Sequence, residues 1–359
     1  MIRYLLQKGI IVMAFFVLHT PSGLSGQEQT AKFDFPDIPG YHTLVCDFHM
    51  HTVFSDGLVW PTVRIEEAIK EGLDAISITE HIEYQNSYLA GDHNQSFNIA
   101  KKRADKKGLI LIKGAEITRS MPPGHFNAIF LEDANTLDVE SWQDALRIAN
   151  EQGAFVFWNH PGWRQPDEIP IWYEEHSWLL SKGWIQGIEI VNETSYYPLA
   201  HQWALDSNLC MLGNSDVHDA LYMFFDPCNG EHRPVTLVFA KERTAEGIRE
   251  ALDNKRTAIY FKNSLYGNEE FLKPLFLASV TELVGVTTGA HADPVYCLQN
   301  NSSMTFELAH ADNKGIESEP FLLSPSEIIE SNSGFLNTYA KVIIKNVWIA
   351  PGKNIEIAR

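Results

Sequence analysis

His49 and His51, two residues apart in the stretch CDFHMHTVFSD, are where chemistry first becomes readable in this chain. In an extended strand alternate side chains share a face, so the pair points to one side and offers two imidazole nitrogens to a single metal ion. Leu44-Val45-Cys46 ahead of them reads as a short buried strand, and Asp56-Gly57 as the turn closing the loop behind. Further along, His81 closes ITEH, Glu116 lies in GAEI, His125 follows Pro-Pro-Gly, His160 lies in WNHPGW, and Asp216 and His218 sit in GNSDVH. Each alone is an ordinary hydrogen-bonding group. With Asp56 they make nine imidazoles and carboxylates, all at or just past the end of strand-like runs. Nitrogen and oxygen donors without cysteine suit zinc, manganese or iron rather than a thiolate structural zinc, and so many donors exceed what one ion can use.

Clustered cations acidify a water bridging them from a pKa near 15.7 toward about 7 and neutralise phosphate oxygens. The expected chemistry is therefore hydrolysis by a metal-bridging hydroxide. Arg119, three residues after Glu116 in EITRS, carries a guanidinium fork that fits a phosphate oxygen as well as it fits a plain salt bridge. Asp47 and Glu80 adjoin ligands and would orient imidazoles if they faced the site, although strand neighbours point the other way. Trp158, Trp163, His176 and Tyr196 are pocket or packing residues on the same logic.

The elements that must position these groups alternate. A helix over Val63–Glu71 ends at Gly72, and a strand over Asp74–Thr79 leads to His81. Helices over Asn98–Lys107, Ser141–Gln152, Pro198–Ser207 and Ala245–Asn254 are interleaved with strands over Leu109–Lys113, Asn127–Leu131, Gly153–Trp158, Ile185–Val191, Leu209–Leu212 and Pro234–Ala240. That alternation predicts a parallel sheet closed or nearly closed into a barrel, with the ligands meeting at one mouth. An open doubly wound sheet is the competitor, but no Gly-rich phosphate loop follows the first strand. From about Leu275 the texture changes to strands over Ala278–Thr287, Met304–Leu308 and Tyr339–Ala350, which predicts a small antiparallel β domain.

The order HxH, D, TEH, E with a following H, NHP and DxH, over about Val45 to Asn263, resembles the PHP (polymerase and histidinol phosphatase) family of metal-dependent phosphoesterases. The resemblance implies an α/β fold, a distorted (β/α)7 TIM-like barrel, placed here over residues 27–274, and the change of texture sets the small C-terminal β domain at 275–359. It also implies three divalent ions: His49, His51, Glu116 and Asp216 around the first; Glu116, His125 and His160 around the second, with Glu116 bridging; Asp56, His81 and His218 around the third. Glu116, Asp216 and Arg119 are then the residues nearest the reaction, and the partner is a small phosphate mono- or diester.

At 359 residues and 45% hydrophobic the chain can bury a large core, and its net charge of −18 argues against a broad nucleic-acid surface and against an anionic membrane face. Arg3 and Lys8, the apolar run Gly9–Leu18 and the small residues Ser22–Gly26 follow the order of an export signal over residues 1–26, which places the mature protein in the periplasm or outside the cell without a stable membrane span. An uncleaved anchor is the alternative. Four scattered cysteines make no disulfide framework. Two further readings compete: an amidohydrolase-type site, which would want a metal-bridging lysine where only Lys113 is near, and a non-catalytic metal- or ligand-binding barrel.

Overall fold

The computed structural model describes residues 32–285, 295–311, 315–331 and 341–358. The expected export signal lies outside the described residues. Strand β1 (His42–Asp47) opens the barrel, followed by α1 (Pro61–Glu71), β2 (Ala75–Ile78), α2 (Gln95–Lys107), β3 (Ile110–Ile117), β4 (Phe126–Ile129), α3 (Trp142–Glu151) and β5 (Phe155–Trp158). Then come α4 (Glu174–Lys182), β6 (Gly187–Asn192), the two-residue β7 (Ser195–Tyr196), α5 (Pro198–Ser207), β8 (Cys210–Asn214), β9 (Val235–Ala240) and α6 (Ala245–Asp253). The helix ends follow their sequence signals. Pro61 occupies the first turn of α1, where its missing N–H costs nothing, and Gly72 turns left-handed at φ 82° to close on the Ala68 and Ile69 carbonyls. Ser141 accepts from Asp144 N at the start of α3, and Thr244 from Gly247 N at the start of α6.

Two corrections to the expected barrel emerge. Its strands are not all parallel: β1-β2-β3 and β5-β6-β8 are, but β4 runs antiparallel between β3 and β5, and β9 runs antiparallel to β1. Nor does the ladder close, since among the described residues no backbone pairing joins β8 to β9. Side-chain hydroxyls span the seam instead. Thr236 Oγ1 of β9 accepts from Gly213 N and donates to Gly213 O, both at 2.9 Å, and Thr257 Oγ1, at the start of the strand after α6, donates to Met211 O at 2.8 Å. Gly213 permits this approach: a Cβ there would lie 2.2 Å from Ile259 Cγ2.

One end of the interior is packed solid. Leu44 and Cys46 of β1, Ile112, Phe155, Leu212 and Val238 join Ile248, Ala251 and Leu252 of α6 in one buried cluster. Each fully buried aliphatic chain there contributes roughly 1.5–3 kcal/mol of burial. The opposite end is left for the polar residues.

Some elements were not expected. The hairpin β10 (Thr257–Phe261) and β11 (Ser264–Gly267) turns through Lys262 and Asn263, both at positive φ as a tight hairpin requires. Helix α7 (Glu269–Ser279) carries Pro274 inside it, which hides it from a pattern reading. Beyond it come β12 (Val280–Gly285), β13 (Val295–Asn300), β14 (Phe306–Ala311), β15 (Phe321–Leu323), β16 (Ile328–Ser331), β17 (Lys341–Ala350) and β18 (Lys353–Ala358). Their pairings with one another are antiparallel, while β11 pairs in parallel with β17 through Leu265↔Val347 and Tyr266↔Trp348. The C-terminal strands thus extend the barrel's own sheet, and β12, β13 and β16 form a second one.

Candidate metal centre

Strand β1 ends at Asp47, so His49 and His51 do not sit on the strand as expected but in the irregular backbone just past it. Other segments replace the missing ladder: Phe48 N donates to Asn214 Oδ1 (2.9 Å), Asp216 N to His49 O (2.8 Å) and His51 N to Val217 O (3.0 Å). The alternation survives. Met50 turns into the apolar core, while the two imidazoles, both fully buried, lie 5.2 Å apart on the other side.

Glu116, near the end of β3, is the hub. Its Oε2 lies 3.6 Å from His49 Nε2, 3.4 Å from His51 Nε2 and 2.7 Å from His81 Nδ1. Its Oε1 faces a different set, His125 Nδ1 at 3.0 Å, His160 Nε2 at 3.5 Å and the Asn159 amide at 2.9 Å. Asp216 Oδ1 sits 3.0 Å from both His49 Nε2 and His51 Nε2. The ring of His51 is sandwiched between those of His81 (4.4 Å) and His218 (4.3 Å), whose Nε2 atoms both approach Asp56 Oδ1, at 3.4 and 3.3 Å.

Three groups offer ligand atoms within 4.8 Å of one another: His51, Asp56, His81 and His218; His49, His51 and Asp216; His49, Glu116 and His160. The structure therefore brings all nine expected residues to one mouth, with His125 reaching the cluster through Glu116 rather than as a member of a group. Four buried atoms aimed into it, His49 Nε2, His51 Nε2, Glu116 Oε2 and Asp216 Oδ1, have no hydrogen-bond partner. Leaving each unsatisfied costs about 1–3 kcal/mol, and a divalent cation is the species that converging imidazole and carboxylate donors satisfy. The donor set fits zinc, manganese or iron.

Charge in the cluster is strongly coupled. Burial opposes ionisation of Asp216, yet His49 and His51 hold it well below the usual carboxylate range; His81, His125 and His49 do the same for Glu116. Burial likewise works against His81, but the carboxylates of Glu116 and Asp56 lift it to about 10. Burial and the neighbouring charges of His81 and His218 take His51 down to about 3. Wedged between the His81 and His218 rings, His51 is held well below the ordinary imidazole range, which keeps its lone pair available.

Backbone strain marks two of the clustered residues. His160 and Asp216 take positive φ, 25° and 50°, a conformation costing about 1–3 kcal/mol. Hydrogen bonds hold them there, His160 N to Glu189 Oε2 (2.7 Å) and Asp216 N to His49 O (2.8 Å).

Glu189 escaped the sequence reading. It is fully buried on β6 and accepts from His49 Nδ1 (2.9 Å), Asn214 Nδ2 (2.9 Å), Asn192 Nδ2 (2.8 Å) and His160 N. The available signal was a carboxylate at an inward position of GIEIVN, between two isoleucines on the other face. Asn159 and Asn214, neighbours of ligands in motifs already singled out, were missed as anchors too.

Other candidates take different places. Arg119 lines the cavity, but it donates to the Thr118 and Val139 carbonyls (3.0 and 2.9 Å) and pairs with Glu83. Asp47 and Glu80 form no ion pair with an imidazole: Asp47 receives Ser215 and the fully buried Arg233 (3.0 Å), while Glu80 receives Thr52 and Ser55, and the Ser55 hydroxyl in turn lies 3.4 Å from His51 Nδ1, so Glu80 reaches that ring only through Ser55. Trp158 stacks on His176 at 3.8 Å and Tyr196 on Tyr266 at 4.5 Å, both as packing, whereas Trp163 does line the cavity, 4.7 Å from the His125 ring. Lys113 donates to Glu132 O at 2.7 Å on the protein's exterior. Above the cluster the cavity measures about 1020 Å³, room for a small substrate, with Tyr84 and Arg164 also on its wall.

A family model for the PHP domain matches residues 47–185. A two-domain protein from Bacteroides vulgatus ATCC 8482, containing a predicted PHP-like metal-dependent phosphoesterase, is 43% identical and superposes with a TM-score of 0.84 over 92% of this chain and 98% of its own. A protein from Bifidobacterium adolescentis ATCC 15703, proposed to be a metal-dependent phosphoesterase, is 19% identical with a TM-score of 0.39 over 58% of this chain and 95% of its own. An amidohydrolase from Chromobacterium violaceum, with bound sulfate and no metal, is 16% identical with a TM-score of 0.39 over 48% and 87%. No curated protein matches the chain.

Proposed function

The chain belongs to the PHP-domain family, and from that premise we propose that it is an exported metal-dependent phosphoesterase acting on a small phosphate mono- or diester at a centre of three divalent ions. The observation that carries the reading is the division of labour at Glu116: its two carboxylate oxygens face two different imidazole sets, the geometry of a bridging ligand.

Divalent ions held here would supply Lewis acidity, bringing a bound water toward ionisation near neutral pH and offsetting phosphate charge. The protein's own share is placement. A carboxylate only accepts, so Glu189 fixes the His49 proton on Nδ1 and turns the Nε2 lone pair toward Asp216 and Glu116. The Asp216 carbonyl, 2.8 Å from His218 Nδ1, does the same for His218, leaving its Nε2 toward Asp56. Asn159 anchors Glu116 Oε1. The amidohydrolase-type reading loses its bridging lysine, since Lys113 is engaged with Glu132 at the exterior.

The test is release of nitrophenol from p-nitrophenyl monoester and diester, with manganese or zinc added back to chelated protein, beside His49→Ala and metal analysis. Metal-dependent turnover lost in His49→Ala is expected. Tight metal binding with neither ester hydrolysed would leave a binding barrel. Export is tested separately by the N-terminal residue of the mature protein, expected just after Gly26.

A further inference from the structure

Helix α1 sends one side chain under the metal centre. Arg64 is fully buried, and its guanidinium reaches three backbone carbonyls in two separate loops: Nε donates to His51 O, and Nη2 to Val217 O and His218 O, each at 2.9 Å. Its remaining edge is neutralised by Glu67, with Nη1 2.8 Å from Oε2, and the other oxygen of Glu67 accepts Leu221 N at 2.8 Å. Glu67 so ties in the chain just beyond His218.

This bonding falls where regular structure has run out. His51 lies past the end of β1 and His218 past the end of β8, so neither belongs to a strand ladder that would fix its spacing from the other. Three backbone bonds cross between the two loops, Asp216 N to His49 O (2.8 Å), His51 N to Val217 O (3.0 Å) and Leu58 N to His218 O (2.8 Å), giving a single isolated bridge of Met50 with Val217, while the His51 carbonyl is left to Arg64. A planar fork that accepts no alternative geometry is the side chain suited to holding several carbonyls at a set distance, and a lysine ammonium is not. The spacing matters because the His51 and His218 rings stack at 4.3 Å and belong to the same ligand group as Asp56 and His81.

We propose that Arg64 is a positioning residue for the metal centre: by clamping the His51 and His218 backbones together it keeps their imidazoles within reach of one ion, that of the Asp56–His81–His218 group. The inference rests on the metal-centre reading above, but it concerns metal geometry and not turnover.

The experiment compares Arg64→Gln and Arg64→Lys with Ile65→Ala, a fully buried core residue on the same helix that contributes to the apolar cluster. Cobalt(II) is titrated into chelated protein, and stoichiometry, affinity by chelator competition and the visible ligand-field spectrum are read well below each variant's melting temperature. The weakest-bound equivalent should lose 10–100-fold in affinity in both Arg64 variants, the range for removing a contact behind a ligand, with a changed spectrum. Ile65→Ala should lower the melting temperature yet keep the wild-type stoichiometry and spectrum. Should Arg64→Gln fail to fold, Arg64→Lys decides. Wild-type cobalt binding in the folded Arg64 variants overturns the proposal and leaves the phosphoesterase reading standing, whereas a wild-type protein that takes up no cobalt sinks that reading first. Equal losses in Ile65→Ala would reduce Arg64 to a fold residue and also overturn it.

Discussion

Nδ1 of His49 lies 2.9 Å from Oε1 of Glu189, and both side chains are wholly buried. The contact sets which imidazole nitrogen faces the ligand cluster, so the cluster's affinity for metal depends on a residue outside it. Glu189→Gln should lower metal affinity by 10–100-fold while the chain remains folded. Chelator competition followed by a thermal melt reads both, and an unchanged affinity would remove Glu189 from the account.

Arg119 spends its donors on Thr118 O, Val139 O and Glu83. Arg119→Gln should therefore cost about 1 kcal/mol of stability, the scale of a partly exposed charged hydrogen bond. KM for a phosphate ester should stay within about twofold, a shift smaller than RT in free energy. A tenfold rise in KM with wild-type stability would show that the guanidinium turns to the substrate instead.

The seam between β8 and β9 leaves no room at Gly213, where a Cβ would meet Ile259 at 2.2 Å. Gly213→Ala should destabilise the protein by about 1–3 kcal/mol through overpacking. Thr236→Val, which strips both hydroxyl bonds to Gly213, should cost a similar amount by leaving a buried N–H and C=O unpaired. Urea midpoints at constant slope measure both, and a neutral Thr236→Val would mean the seam is held by packing alone.

His176 is buried with Nδ1 accepting from Tyr173 N and Nε2 donating to Pro123 O, so a second proton would break a bond in place. Burial takes it down to about 4, and His201 likewise to about 4. The unfolded chain binds a proton near pH 6.5 and the folded one does not until about pH 4, so stability is complete above about 6.5 and falls on acidification between those values. Each histidine should cost about 2 kcal/mol at pH 5 relative to pH 7. Denaturation of chelated protein at both pH values checks this, and His176→Phe should remove its part of the difference.

The nine candidate ligands were legible because local pattern marks the segments that carry them: alternation around His49 and His51, an apolar run into ITEH, a turn-rich break at GNSDVH. The end of helix α1 announced itself through Gly72 in the same short-range way. What the chain's local texture could not reveal was which partner each group would meet. Glu189 and His49 are 140 residues apart, Arg64 and Val217 are 153 apart, and their meetings depend on how the barrel brings β6 and the end of β8 to the end of β1. Arg119 shows the same limit: its type suits a phosphate, but only the fold puts Glu83 and the Val139 carbonyl in its path. Spacing along a strand is a property of the covalent backbone and is read residue by residue. The closing of a seam by Thr236 and Thr257, or the sharing of Glu116 between two imidazole sets, is decided by packing between distant segments, and only the tertiary structure contains it.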